Sequence, residues 1–174
     1  MNIYDGMNKN NTALLVIDPI NSCAHEKCET PEWGIYFSKI RAMLPKLNEF
    51  IKEYRKKVGG LVILTTLTPW NKEHLPENMN ELYKDPEATY YSEDTTGFDE
   101  KFYAVESEKS DLIVVKNTYG AFSNPKLAKE LGARGIKYIA TTGVFTDGCV
   151  LAKTFARSYV SKNVRACNIV QRAN

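Results

Sequence analysis

Ile136-Lys137-Tyr138-Ile139-Ala140-Thr141 runs directly into Thr142-Gly143-Val144-Phe145-Thr146-Asp147-Gly148-Cys149. The first six residues are apolar enough for a buried strand and too few for a stable helix. Behind them an amphipathic pattern begins, with Val150, Thr154, Phe155 and Tyr159 on one helical face and Thr146 as the expected N-cap. A strand that turns tightly into a helix is half of a parallel α/β unit. Cys149 falls in the first turn of that helix. There the positive end of the dipole and unpaired N–H groups favour a thiolate, and the same N–H groups can hold an oxyanion. Taken alone, the position also suits a buried cysteine that acts as a small hydrophobe.

The same alternation extends towards the N-terminus. Thr12 to Ile17 is a short apolar run closed by Asp18-Pro19, a strand stopped by a turn signal. Pro45 is expected as the first residue of a helix carrying Leu47, Phe50, Ile51 and Tyr54, with Arg55 to Lys57 at its C-terminus and Gly59-Gly60 as its stop. Leu61 to Leu67 reads as a second strand, and Asp111 to Val115, ending at Lys116, as a third. Asn124-Pro125 starts a helix with Leu127, Ala128 and Leu131 inward and Gly135 past its end. Ile136 to Thr141 is the fourth strand and Val164 to Val170 the fifth. Residues 68 to 110 show weak periodicity and form a long excursion, either a substrate lid or surface decoration.

Short apolar strands alternating with helices predict a three-layer α/β/α sandwich: a mainly parallel, doubly wound, Rossmann-like sheet, within one domain spanning 1–174. Ligands in such folds bind at the carboxyl ends of the strands. Asp18, Lys116 and Cys149 stand at three such ends. An Asp or a Lys after a strand is often only a turn residue or a solvated charge. Three reactive groups converging on one edge point to chemistry.

Composition narrows the function classes. With 43% apolar and 25% charged residues and a net charge of +2, the 174-residue chain is ordinary for a globular protein and has no basic tract for nucleic acid. No apolar run reaches the ~20 residues that span a bilayer. The polar stretch Met1 to Asn11 lacks a signal-peptide core, so a cytoplasmic location with reduced thiols is expected. Cys23 and Cys28 flank His25, short of the four ligands of a structural zinc, and are read as loop residues without a metal role.

The segments L-L-V-I-D-P-I-N at 14–21, D-L-I-V-V-K-N-T-Y-G-A-F at 111–122 and T-G-V-F-T-D-G-C-V at 142–150 are similar to those of the isochorismatase-like cysteine hydrolases. That family includes nicotinamidases, N-carbamoylsarcosine amidases and ureidoacrylate amidases. The resemblance implies a catalytic triad of Asp18, Lys116 and Cys149. It also implies a cis peptide between Val144 and Phe145, and an oxyanion hole from the backbone N–H groups of Phe145 and Cys149. Phe122 matches an aromatic of the family segment, and with Trp70 and Tyr119 it is a candidate for the substrate pocket, although aromatics also serve as plain core.

The implied reaction is hydrolysis of a C–N bond in a small amide, carbamoyl or ureido compound through a thioester. Asp18 acts as base, and Lys116 lowers the Cys149 pKa and keeps Asp18 ionised. Metal-dependent members carry Asp-x-His after the second strand. Here Thr65 to His74 has none, and His25 and His74 are the only histidines, so no catalytic metal and no cofactor are expected, and nicotinamide is disfavoured. Members usually continue beyond the fifth strand. A trimmed fold or an edge covered in a homo-oligomer, dimer or tetramer, is therefore expected. The rival readings are an isochorismatase-type vinyl-ether hydrolase, which does not use the cysteine, and a non-catalytic binding or assembly module.

Overall fold

The computed structural model describes residues 6–67, 98, 100–116 and 118–152, together with the backbone of 165–168; the Trp33 side chain lies outside this set. Its strands are β1 (Thr12–Ile17), β2 (Leu61–Leu67), β3 (Leu112–Lys116), β4 (Tyr138–Gly143) and β5 (Arg165–Asn168). All pair in parallel, in the order β3-β2-β1-β4-β5. The chain steps outward from β1 through β2 to β3, then returns to the other side of β1 for β4 and β5. The order reverses between β1 and β4, the switch point where doubly wound sheets bind ligands.

Period-two alternation splits β1 between two cores. Leu14 and Val16 pack with Leu44, Leu47, Ile51 and Tyr54 of helix α1 (Ser38–Lys57). Ala13, Leu15 and Ile17 pack with Leu127 and Leu131 of helix α2 (Pro125–Ala133) on the opposite face. The sheet is thus covered on both sides, as its near-continuous apolar strands require. No helix among the described residues is long and apolar enough to cross a membrane.

Most boundaries agree with the sequence reading to within two residues, and the exceptions have physical causes. Pro45 does not open α1; the helix begins at Ser38 and carries the proline inside it. An interior proline forfeits one backbone hydrogen bond and costs about 3 kcal/mol. Ile40, Met43 and Leu44, packed in the core before or beside Pro45, extend the buried stripe and outweigh that loss. Thr146 does not cap the segment after β4. Phe145 holds the N-cap position without a side-chain bond, and Thr146–Val150 forms one wide turn in which Val150 N–H donates to Phe145 O at 3.0 Å. Leu151 and Ala152 continue as helix; Thr154, Phe155 and Tyr159 lie outside the described residues. By contrast, Asn124 caps α2 as expected, its Oδ1 accepting from Lys126 N at 2.9 Å, with Pro125 first in the helix.

Candidate active site

Asp18 leaves β1 with φ +49, in the left-handed region. Such a backbone costs an L-residue about 1–2 kcal/mol, and Asp tolerates it better than most. The following Pro19 also disfavours the right-handed helical region for Asp18. Its carboxylate is fully buried, with a hydroxyl on one oxygen and an ammonium beside the other. The Thr65 hydroxyl donates to Oδ1 at 2.7 Å, and Lys116 Nζ stands 2.6 Å from Oδ2. The Thr65 oxygen in turn accepts from Asp18 N–H at 3.0 Å. Oδ2 has the ion-pair contact but no well-angled hydrogen bond among the described residues.

Lys116 ends β3 and is also fully buried. Its ammonium donates to Tyr119 O at 3.0 Å, a carbonyl presented by the chain as it turns away from the strand. Asn124 Nδ2 donates to Val115 O at 2.8 Å and so ties the start of α2 to the end of β3 beside the lysine.

Gly143 ends β4 with φ +120, and a Cβ there would strike the backbone of Ile17. Only glycine lets β1 and β4 approach this closely, and Val144 N–H then donates to Ile17 O at 2.9 Å. The Val144–Phe145 peptide is cis, as the family resemblance implied. The turn that follows carries Cys149, which is 4% exposed. Its thiol lies within hydrogen-bonding reach of both the Asp18 carboxylate and the Lys116 ammonium. The three predicted reactive groups therefore meet at the switch point.

The electrostatics correct one expectation. Burial pushes the Cys149 thiol from its ordinary 9.0 up to about 11; the negative charge of Asp18 adds to the rise, and Lys116 only partly offsets it. The resting sulfur is a thiol, because loss of solvent and a neighbouring carboxylate outweigh the ammonium. The sequence marks Cys23 as a loop residue without a metal role. It lies 1% exposed near the same cluster, its thiol raised by burial and then by Asp18.

Of the candidate pocket residues, Phe122 is buried in the same apolar cluster as Cys149, Tyr119 packs at that cluster's edge, and Trp70 lies outside the described residues. Phe145 packs against Phe37, ring centroids 5.9 Å apart. The returning end of the long excursion lies on the loop after Asp18. Tyr103 N–H donates to Pro19 O at 2.9 Å, and Asn21 Nδ2 donates to Glu100 O at 2.6 Å. His25 accepts from Lys27 N through Nδ1 and packs on Phe98 and Tyr103. The end of β2 presents Thr65-Thr66-Leu67, with no metal-binding side chain; positions 68 to 74 lie outside the described residues.

The fold is a doubly wound α/β sandwich with a thiol, a carboxylate and an ammonium gathered at its switch point. The chain belongs to the isochorismatase family: the family model for the isochorismatase domain matches residues 12–167. It is an enzyme of that family. No curated protein matches the chain. Among solved structures it is similar to a cysteine hydrolase from Pseudomonas syringae pv. phaseolicola 1448A, with 20% identity, TM-score 0.69, and 93% of this chain and 71% of that one covered. It is also similar to N-carbamoylsarcosine amidase from Thermoplasma acidophilum, with 19% identity, TM-score 0.63, and 91% and 81% covered. A third is the pyrazinamidase of Pyrococcus horikoshii in complex with zinc, with 24% identity, TM-score 0.62, and 86% and 79% covered. At these identities the likeness establishes the fold.

Proposed function

We propose that the protein hydrolyses a C–N bond in a small amide, carbamoyl or ureido compound, with Cys149 as nucleophile. The observation that carries this reading is the buried Asp18–Lys116 ion pair with the Cys149 thiol against it. A fully buried pair of this kind is a poor stabiliser compared with apolar packing, so its presence at a ligand-binding edge points to chemistry. The likeness to an amidase and a pyrazinamidase supports the amide class.

A thiol with a pKa of about 11 is ionised to only about one part in 10⁴ at pH 7. Attack therefore needs proton transfer. As Sγ bonds to the carbonyl carbon, its proton passes to Asp18 Oδ2. The oxyanion forms against the backbone N–H groups of Phe145 and Cys149; loss of such a donor typically costs about 10²–10³ in rate. Asp18 returns the proton to the leaving nitrogen as the C–N bond breaks. Water attacks the thioester, Asp18 takes its proton, and the departing sulfur is reprotonated. Lys116 stands 2.6 Å from the oxygen that handles each proton and supplies the positive charge beside it. Retention of the cysteine disfavours the vinyl-ether reading.

The test is ammonia release from N-carbamoylsarcosine, pyrazinamide, nicotinamide and simple ureido acids by wild type and by Cys149→Ala. Release by the wild type alone is expected. Turnover that survives in the variant would end the covalent scheme.

A further inference from the structure

We propose that Thr65 is a positioning residue that selects which oxygen of Asp18 handles the proton. Its side chain makes two bonds to one residue, accepting from Asp18 N–H at 3.0 Å and donating to Asp18 Oδ1 at 2.7 Å. All these atoms belong to fully buried residues. The N–H occupies the hydroxyl's acceptor side, so its single proton is committed to Oδ1. Oδ1 thereby already holds one donor, and Oδ2, 2.6 Å from Lys116 Nζ and without a hydrogen bond among the described residues, is the oxygen left to accept the proton of the thiol that lies against this carboxylate. The same two bonds brace the left-handed turn at Asp18, φ +49, that aims the carboxylate out of β1.

The neighbouring threonine shows that this is not generic strand chemistry. Thr66 is equally buried on β2, yet its hydroxyl has no hydrogen-bond partner among the described residues. It provides an internal control.

The role of Thr65 rests on the reading of Asp18 and Cys149 given above, and the experiment separates the two. The probe is 4-nitrophenyl acetate. Acylation forms the Sγ–C bond, the thiol proton passes to Asp18 Oδ2, and 4-nitrophenolate leaves. Once that proton has gone to solvent, Asp18 deprotonates the attacking water and the proton returns to the departing sulfur as acetic acid is released, which then ionises in solution. Pre-steady-state 4-nitrophenolate formation is followed for wild type, Thr65→Val, Thr65→Ser, Thr66→Val and Cys149→Ala.

Thr65→Val should slow the burst rate constant by about 10²-fold, the usual cost of a slightly misplaced reacting group, with burst amplitude kept. Thr65→Ser, which keeps the hydroxyl, should restore a rate of the wild-type order, and Thr66→Val should leave it unchanged. A merely structural role would lower the amplitude, the folded fraction, and leave the rate constant alone; that result overturns the proposal. So does a Thr65→Val rate equal to wild type. A wild-type burst no larger than that of Cys149→Ala overturns the catalytic reading itself.

Discussion

Replacing Lys116 with Met should destabilise the protein by about 3–5 kcal/mol, the usual cost of orphaning one member of a buried ion pair. The magnitude follows from the geometry. Both side chains are fully buried and their charged atoms lie 2.6 Å apart. At an effective dielectric near 20 the attraction is about 6 kcal/mol, which is set against several kcal/mol of desolvation for each ion. The intact pair therefore nearly balances, whereas the carboxylate alone keeps its desolvation cost, with the neutral Thr65 hydroxyl and Cys149 thiol as partial offsets. A loss of 3–5 kcal/mol lowers the melting temperature of a chain this size by about 10–15 °C. The double variant Asp18→Asn, Lys116→Met has no orphaned charge and should recover most of the loss. Urea denaturation of wild type, both single variants and the double variant closes the cycle. A Lys116→Met protein within about 1 kcal/mol of wild type, or a double variant less stable than Lys116→Met, would refute the account of the pair.

Alkaline pH should weaken the fold. The Cys149 thiol is raised from 9.0 to about 11, and the Tyr54 phenol, whose OH donates to Thr12 O at 3.2 Å, is raised by burial from 10.0 to about 12. The unfolded chain releases these protons first, so the stability they contribute is complete below pH 9 and is lost as pH rises through the folded values. Urea midpoints measured from pH 8 to 11 should fall, and less steeply in Cys149→Ala; a flat profile would contradict the burial of both groups. Gly143→Ala should cost at least about 3 kcal/mol, since both the positive φ and the Ile17 backbone oppose a Cβ. Calorimetry that finds this variant as stable as wild type would show that β1 and β4 can part without loss.

Sheet and site were legible to different depths, for reasons that particular residues show. Thr12 to Ile17 and Leu61 to Leu67 are nearly unbroken apolar runs, because helices cover both faces of each strand, and such runs announce themselves. Parallel strands all end at one edge, so Asp18, Lys116 and Cys149 could be brought together before any coordinate was known. Pro45 misled because its penalty is local and written in one residue, while the packing of Ile40, Met43 and Leu44 that overrides it exists only after α1 meets the sheet. Thr65 could not be separated from Thr66 by composition; only the side of the sheet each faces, and the register against β1, tells them apart. The thiol's raised pKa was hidden for a related reason. Lys116 and Asp18 are visible as letters, but the exclusion of water from Cys149 belongs to the assembled interior. Cys23 left no signal at all, since a cysteine in a turn looks alike whether it faces solvent or a neighbouring charge.

Among the described strands β3 is a border strand, held by β2 on one side. Its last residue is the ammonium. A brief fraying of that border would withdraw the positive charge from Asp18 while β1, β4 and Cys149, the proposed nucleophile, stayed in place. Turnover would then stop well before global unfolding, and heat inactivation would run ahead of the loss of secondary structure.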